Sequence, residues 1–501
     1  MGWRYLTVLV APALLASPAS ATGAREPTIA ELQRQIDELK AMVEQLKAAQ
    51  RTGAPPAAQP APASQSIPVS AAAPPPAPPA APAEPALAAA PVAPPPAGPA
   101  PAAPPTYESY VTLQDDEGRP WHERLQLRGY TQFRLNEIIS GDATAPPGIS
   151  RLRSVQDAGI NDRNNFSFRR IRLVIQGDLG DDVSVYLQPD FASAVNNQSA
   201  GERREGYLQL RDAYADWSFG ANKEWKLRFG QSKVPFGWEN MQSSGSRVPL
   251  DRSDGINSAV PGERDLGIVG YYTPLRVKRT WKRLADDGQK LFGNYGAFGL
   301  AAMNGQGTNR TETNNDLMKV AMVTWPFELD GLGSAFKGQV LELGASGMLN
   351  QFQPELRSGG FSAESFDDNR VVVHAILYPQ PFGIQAEWNW GRGPEFDTDT
   401  QTIEEKSLTG GYIQAMYRVR RSPLGPFIPF GRWQHYRGGW KAALNAPRIE
   451  TDEFEFGVEF QPIQPLELTL TYAHMKRRAA DERRTGQAEG DLIRAQLQWN
   501  Y

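Results

Sequence analysis

Arg128, Arg134, Arg170, Arg172, Lys226 and Arg228 fall at alternate positions within short runs whose intervening positions are largely apolar. Fixed cations repeated on one face of an extended segment bind or steer anions, and in a narrow passage they select for them. Lys233, Arg247, Arg252 and Arg264 follow in or beside one long polar stretch, while Glu387, Glu453, Glu455, Glu459 and Glu467 concentrate the opposite charge later in the chain. Taken singly, each charge is as well explained by pairing with an opposite charge or by keeping a surface wet. As a group the early arginines are harder to account for that way.

Covalent or metal chemistry finds no support. His122, His374, His435 and His474 are scattered without metal-ligand spacing, and no Gly-rich stretch follows a strand and opens a helix as a phosphate loop does. The expectation is therefore a protein with no cofactor and no enzymatic activity.

The elements that would carry these cations read as strands. Leu125, Leu127, Phe133 and Leu135 alternate with Gln126, Arg128, Gln132 and Arg134; Ile171, Leu173 and Ile175 with Arg170, Arg172 and Gln176; Phe454, Phe456 and Val458 with Glu453, Glu455 and Glu459. From residue 124 to 501 such runs suggest about sixteen strands of roughly ten residues, joined alternately by short turns and longer polar loops. Gly177–Asp182 and Pro462–Pro465 read as short turns, and Asp142–Asn165, Gln351–Asp367 and Gly393–Glu405 as long loops. A soluble sandwich would have to bury the Arg170, Arg172, Glu455 and Glu459 face, which is costly. Turned inside out, the apolar face meets lipid and the charged face water. The expected fold is all-β, a transmembrane antiparallel barrel with aromatic girdles, and a barrel of that size encloses a water-filled lumen. Within it, Trp225–Asp265 reads as a strand, a turn at Lys233–Glu239 and an over-long loop, Arg247–Asp265, suited to narrowing the lumen.

The 501 residues carry a formal charge of −4, too near neutral for a nucleic-acid partner, and no cysteine, which excludes a disulfide framework. Arg4, the apolar run Leu6–Ala16 and Ala19-Ser20-Ala21 read as a signal peptide over residues 1–21. Ile29, Leu32, Ile36, Leu39, Val43 and Leu46 form a heptad seam, with Thr28 and Glu31 as a capping box, so a short coiled-coil helix is expected over 28–49. Residues 50–106 are almost wholly Ala, Pro and small polar residues, a semi-rigid Pro/Ala-rich linker able to reach on the order of 150 Å.

Phe168-Arg169-Arg170-Ile171-Arg172-Leu173, Gly230-Gln231-Ser232-Lys233-Val234-Pro235-Phe236-Gly237-Trp238-Glu239 and the closing Arg494–Tyr501 resemble the phosphate-selective porin O and P family of bacterial outer membranes. The resemblance, from about Arg124 to Tyr501, implies a homotrimer of sixteen-stranded barrels in outer-membrane lipid, with the third long loop folded into the lumen and the N-terminal segment in the periplasm. It also implies that Arg169 and Arg170 contribute to an anion site for solutes such as phosphate. Strict alternation points only one of that pair inward, so a bulge or a rim position is expected. Asn240 and Tyr130 stand where phosphate-selective members carry a lysine and an arginine, which favours a general or weakly anion-preferring eyelet. The alternative reading is an envelope tether, in which the helix and linker grip the cell wall and the barrel is an anchor.

Overall fold

The computed structural model describes residues 121–501, apart from 142–143, 146–149, 153–156, 158–159, 161–164, 195–204, 424 and 483–485. The expected signal peptide, coiled coil and linker lie outside the described residues.

Sixteen antiparallel strands close into a barrel, each hydrogen-bonded to its neighbours in sequence. They are β1 Leu125–Gly141, β2 Asn165–Asp178, β3 Val183–Ala194, β4 Glu205–Phe219, β5 Trp225–Lys233, β6 Arg264–Tyr272, β7 Phe298–Met303 and β8 Met318–Glu328. Then follow β9 Val340–Leu349, β10 Asn369–Leu377, β11 Phe382–Asp397, β12 Thr402–Tyr417, β13 Phe427–Gly439, β14 Arg448–Ile463, β15 Leu466–Ala480 and β16 Gln487–Asn500. Closure runs through β1 and β16, from Tyr130 opposite Asn500 to Gly141 opposite Gly490. The side-chain alternation sorts as the pattern requires: Phe454 and Phe456 of β14 are exposed on the outside while Glu453, Glu455 and Glu459 are turned in.

One expected loop is corrected. Gly393–Glu405 is mostly strand, because β11 and β12 stay paired out to Asp397 opposite Thr402. Gly393, Pro394 and the charged residues around them mimic a loop, yet near a barrel rim both faces of a strand can be polar. Arg264 and Asp265, expected in the narrowing loop, open β6 instead.

Two segments fold inward. Residues 234–263, between β5 and β6, are buried continuously from 234 to 256. Residues 273–297, between β6 and β7, occupy the rim where short turns are the rule, and carry a 12-residue helix, α1, Leu275–Asp286. Pro274 precedes it, and it ends in a Schellman pattern: Gln289 N–H donates to Leu284 O at 2.9 Å and Gly288 N–H to Ala285 O at 2.8 Å, with Gly288 at φ 72°. Its Val277, Trp281 and Leu284 face inward, and Arg276, Arg279, Lys282 and Arg283 outward.

These segments build a core inside the barrel. Val234, Phe236, Trp238 and Met241 of the first, with Trp281, Leu284 and Phe292 of the second, pack on inward residues such as Val269, Met303, Met322 and Ile376. That apolar lining of β6 to β10 is why part of the lumen is filled. The wall of β1 to β4 and β12 to β16 is polar instead, with buried Gln132, Arg134, Arg432, Gln434 and Arg494 facing the first segment.

Candidate functional site

The inward loop is stapled by carboxylates to the wall that runs from β11 through β16 to β1. On β11, Glu387 accepts from the Trp238 and Glu239 amides, each at 2.6 Å. Glu239 in turn receives Arg432 of β13 at 2.8 Å. Asp254 accepts from Thr451 of β14 at 2.7 Å and from Arg477 of β15, while its amide donates to Gln434 at 2.9 Å. Gly255 lies so close to β12 that a Cβ there would sit 2.5 Å from the Gly410 carbonyl carbon, so only glycine fits. On the adjoining strands Asp251 meets Arg134 of β1 at 3.1 Å and Arg494 of β16, with Asp157 bridging both arginines at 2.6 and 2.9 Å. Breaking a buried pair leaves an uncompensated charge at high cost, so these pairs fix the loop.

At the end of the loop one carboxylate gathers five cations. Glu263 lies 2.6 Å from Arg264, 3.0 Å from Arg252, 3.8 Å from Lys233, 3.9 Å from Arg211 and 4.0 Å from Arg247. Burial alone would push its carboxyl up, but Arg252, Arg264, Lys233 and Arg247 outweigh burial and hold it well below the usual carboxylate range.

Above this nest, toward the long-loop rim, is a cavity of about 330 Å³ lined by Arg169, Arg170, Arg172, Arg211 and Arg252 against Asp190 and Glu263. Toward the short-turn rim lies a vestibule of about 580 Å³, bounded by Arg128, Ser246, Lys290, Arg418, Glu459 and Tyr501 among others. Between them Ser244 of the loop closes a triangle, its Oγ 2.7 Å from both the Tyr130 hydroxyl and Arg172 Nη1. Gln132 holds the Ser244 carbonyl at 2.9 Å.

Two arginines reach the cavity through β-bulges. Opposite β1 the register steps from Gln132–Arg170 to Phe133–Phe168, so Arg169 is the extra residue, and its Nη2 lies 3.7 Å from Asp251 on the lumen side. Opposite β3 it steps from Gln188–Asp212 to Pro189–Leu210, and Arg211 is extra. A bulge re-aims a side chain that strict alternation would turn outward.

The other expected site residues divide by partner. Arg170 donates to Gln132 at 2.7 Å and has no ion pair among the described residues. Arg172 pairs with Asp190 at 2.8 Å, and Arg252 also bonds Asn240 at 2.6 Å. Arg247 donates to the Gln242 carbonyl at 3.0 Å, and its buried Nε and Nη1 have no hydrogen-bond partner among the described residues. Lys233 donates to the Gln242 carbonyl at 2.6 Å. Arg128 donates to Gln176 at 2.7 Å beside the vestibule. Lys233, Arg247 and Arg128 do not line the cavity, and neither do the remaining four. Arg134 is locked in the Asp157–Asp251 network, and Arg264 grips Asp212 at 2.9 Å. Arg228 forks onto Asp216 at 2.7 and 2.8 Å beneath the Tyr214 ring, and Lys226 is tied to Asn294 of the second inward segment at 2.7 Å. The sequence pattern gives no sign of Arg211 or Ser244, and it marks Glu263 only as one charge among several in the long polar stretch; neither Ser244 nor Glu263 belongs to a periodic run.

The family model for phosphate-selective porin O and P matches residues 150–501. A comparison with curated protein sequences gives no match. Among solved structures, the outer membrane channel DcaP of Acinetobacter baumannii is 16% identical over 75% of this chain and 97% of its own, with a TM-score of 0.47. The anion-selective porin from Comamonas acidovorans is 10% identical over 75% and 99%, with a TM-score of 0.45. Salmonella typhi OmpF in complex with daunomycin is 12% identical over 75% and 97%, also at 0.45. The matched residues of the family model take in every barrel strand after the first, and the chain therefore belongs to the phosphate-selective porin O and P family and is a channel of the outer membrane.

Proposed function

We propose that this channel gives passive diffusion to small hydrophilic anions, phosphate among them, along the path from the arginine-lined cavity past Ser244 to the vestibule. One observation carries the reading: the cavity sets five guanidinium groups against two carboxylates, and Arg170 among them has no ion pair in the described residues. Buried cations without counter-charges attract mobile ones, and in a narrow site that attraction favours anions over cations. The acidic wall expected to oppose them is engaged elsewhere, Glu387 on the loop amides and Glu459 with Glu467 on Lys290. Asn240, at the position of the family's lysine, is spent on Arg252 and the Val234 carbonyl, which favours a general eyelet over a tight phosphate site.

In this reading the channel assembles as a homotrimer, residues 1–21 direct export, the 28–49 helix stands in the periplasm, and the protein has no enzymatic activity. Ion replacement in planar bilayers tests the transport claim. Exchanging chloride for a bulky organic anion is expected to cut conductance several-fold, while exchanging potassium for a bulky cation leaves it nearly unchanged. The opposite order overturns the proposal.

A further inference from the structure

The outer wall of β7 to β11 carries an apolar groove of about 650 Å³. Its floor is one cross-strand rung, Leu300, Ala321, Gly347, Val371 and Trp390, each paired with the next. Leu300, Val371 and Trp390 stand out from it, 71%, 52% and 47% exposed, whereas Ala321 and Gly347 leave a hollow between them. Gly347 is the informative position. A Cβ built there meets nothing within 4 Å, and its φ is not in the left-handed region, so neither packing nor backbone geometry calls for glycine. Glycine within a strand weakens it, and one the barrel does not need marks space kept for something else.

The next rung toward the long-loop rim supplies charge. Lys319 pairs across to Leu349, the Met348–Arg370 step sets Leu349 beside Asn369, and Asn369 pairs with Arg392. Lys319 and Arg392 are both exposed on the lipid-facing side, and three strand spacings set them roughly 14 Å apart. Among the described residues Lys319 has no ion pair, and Arg392 makes one 3.5 Å contact to the Glu405 carbonyl. The Glu405 carboxylate, one rung further out, is turned onto the Asp367 amide at 2.8 Å. Long loops mark the outer side of such barrels, so this rung lies at the headgroup level of the outer leaflet.

We propose that the groove is a binding site for a bis-phosphorylated glycolipid of the outer leaflet. One acyl chain lies over Ala321 and Gly347, and Lys319 and Arg392 take the phosphates at the two ends of the sugar headgroup. The site lies on the lipid face of the wall, so the proposal does not depend on which ion the lumen prefers.

Native mass spectrometry of detergent-purified protein titrated with bis-phosphorylated lipid A tests it. Wild type is expected to retain one lipid per barrel. Lys319→Glu combined with Arg392→Glu is expected to weaken binding at least tenfold, and Gly347→Leu, which fills the hollow from a position where an added Cβ meets nothing within 4 Å, to do the same with both cations intact. Circular dichroism confirms that each variant is folded. Binding like that of wild type in either variant overturns the proposal. So does disulfide cross-linking of Leu300→Cys to a second copy in native membranes, which would make this face a subunit contact.

Discussion

Replacing Glu263 by glutamine removes one negative charge from among five cations lying 2.6 to 4.0 Å away while keeping the side chain's shape. Two effects should follow. Removing one partner from buried ion pairs costs about 3–5 kcal/mol, so the denaturant midpoint should fall, and added phosphate should restore part of the loss by binding the cations left uncompensated beside the cavity. Transport should shift the other way. An ion passing about 5 Å from this carboxylate in water-like surroundings interacts with it by about 0.8 kcal/mol, with opposite sign for anions and cations, so the charge is worth about 1.6 kcal/mol in discrimination. The anion-to-cation permeability ratio of Glu263→Gln is therefore expected to rise on the order of tenfold. The assay is the zero-current potential of wild type and variant in the same bilayer and salt gradient. An unchanged or lower ratio in a folded, inserting variant would refute the reasoning.

Other expectations follow from the same contacts. Glu263 titrates below the usual carboxylate value of about 4.3, so the stability it contributes is present above that pH and is lost only as pH falls through the depressed value. Conductance should hence be flat from neutrality to about pH 4 if this loop controls it; a step near pH 5 in recordings would contradict this. Trp281→Ala empties a fully buried site and breaks the indole N–H bond to Glu342 at 2.9 Å, which should cost about 3–5 kcal/mol in chemical denaturation and raise single-channel conductance as the second inward segment loosens. Asp251→Asn deprives Arg134 and Arg494 of a shared partner, so limited proteolysis should cut the variant within residues 234–263 while wild type resists. Equal protection would show that the anchors on β11 to β15 alone hold the loop.

The barrel was legible because lipid outside and water inside enforce a two-residue period on every strand, as in β14 with Phe454 out and Glu453 in. The Arg169-Arg170 pair even carried its own conflict with that period, and a bulge resolves it. What stayed hidden lies where alternation does not apply. The segment 273–297 has helix signals in Pro274, Gly288 and the Val277–Trp281–Leu284 spacing, but it sits on the rim where a short turn is expected. Pairings such as Asp251 with Arg494, separated by 243 residues, depend on how a loop crosses the lumen. No local pattern encodes them. The same holds for the acidic residues of the later strands, which read as pore lining, whereas Glu387 is an anchor for the loop.

The most direct measurement is the zero-current potential of wild-type channels across a tenfold potassium chloride gradient. An arginine-lined path predicts a potential with the sign of chloride permeation, reduced in Arg170→Gln. A potential near zero, or one with the sign of potassium permeation, would contradict the account.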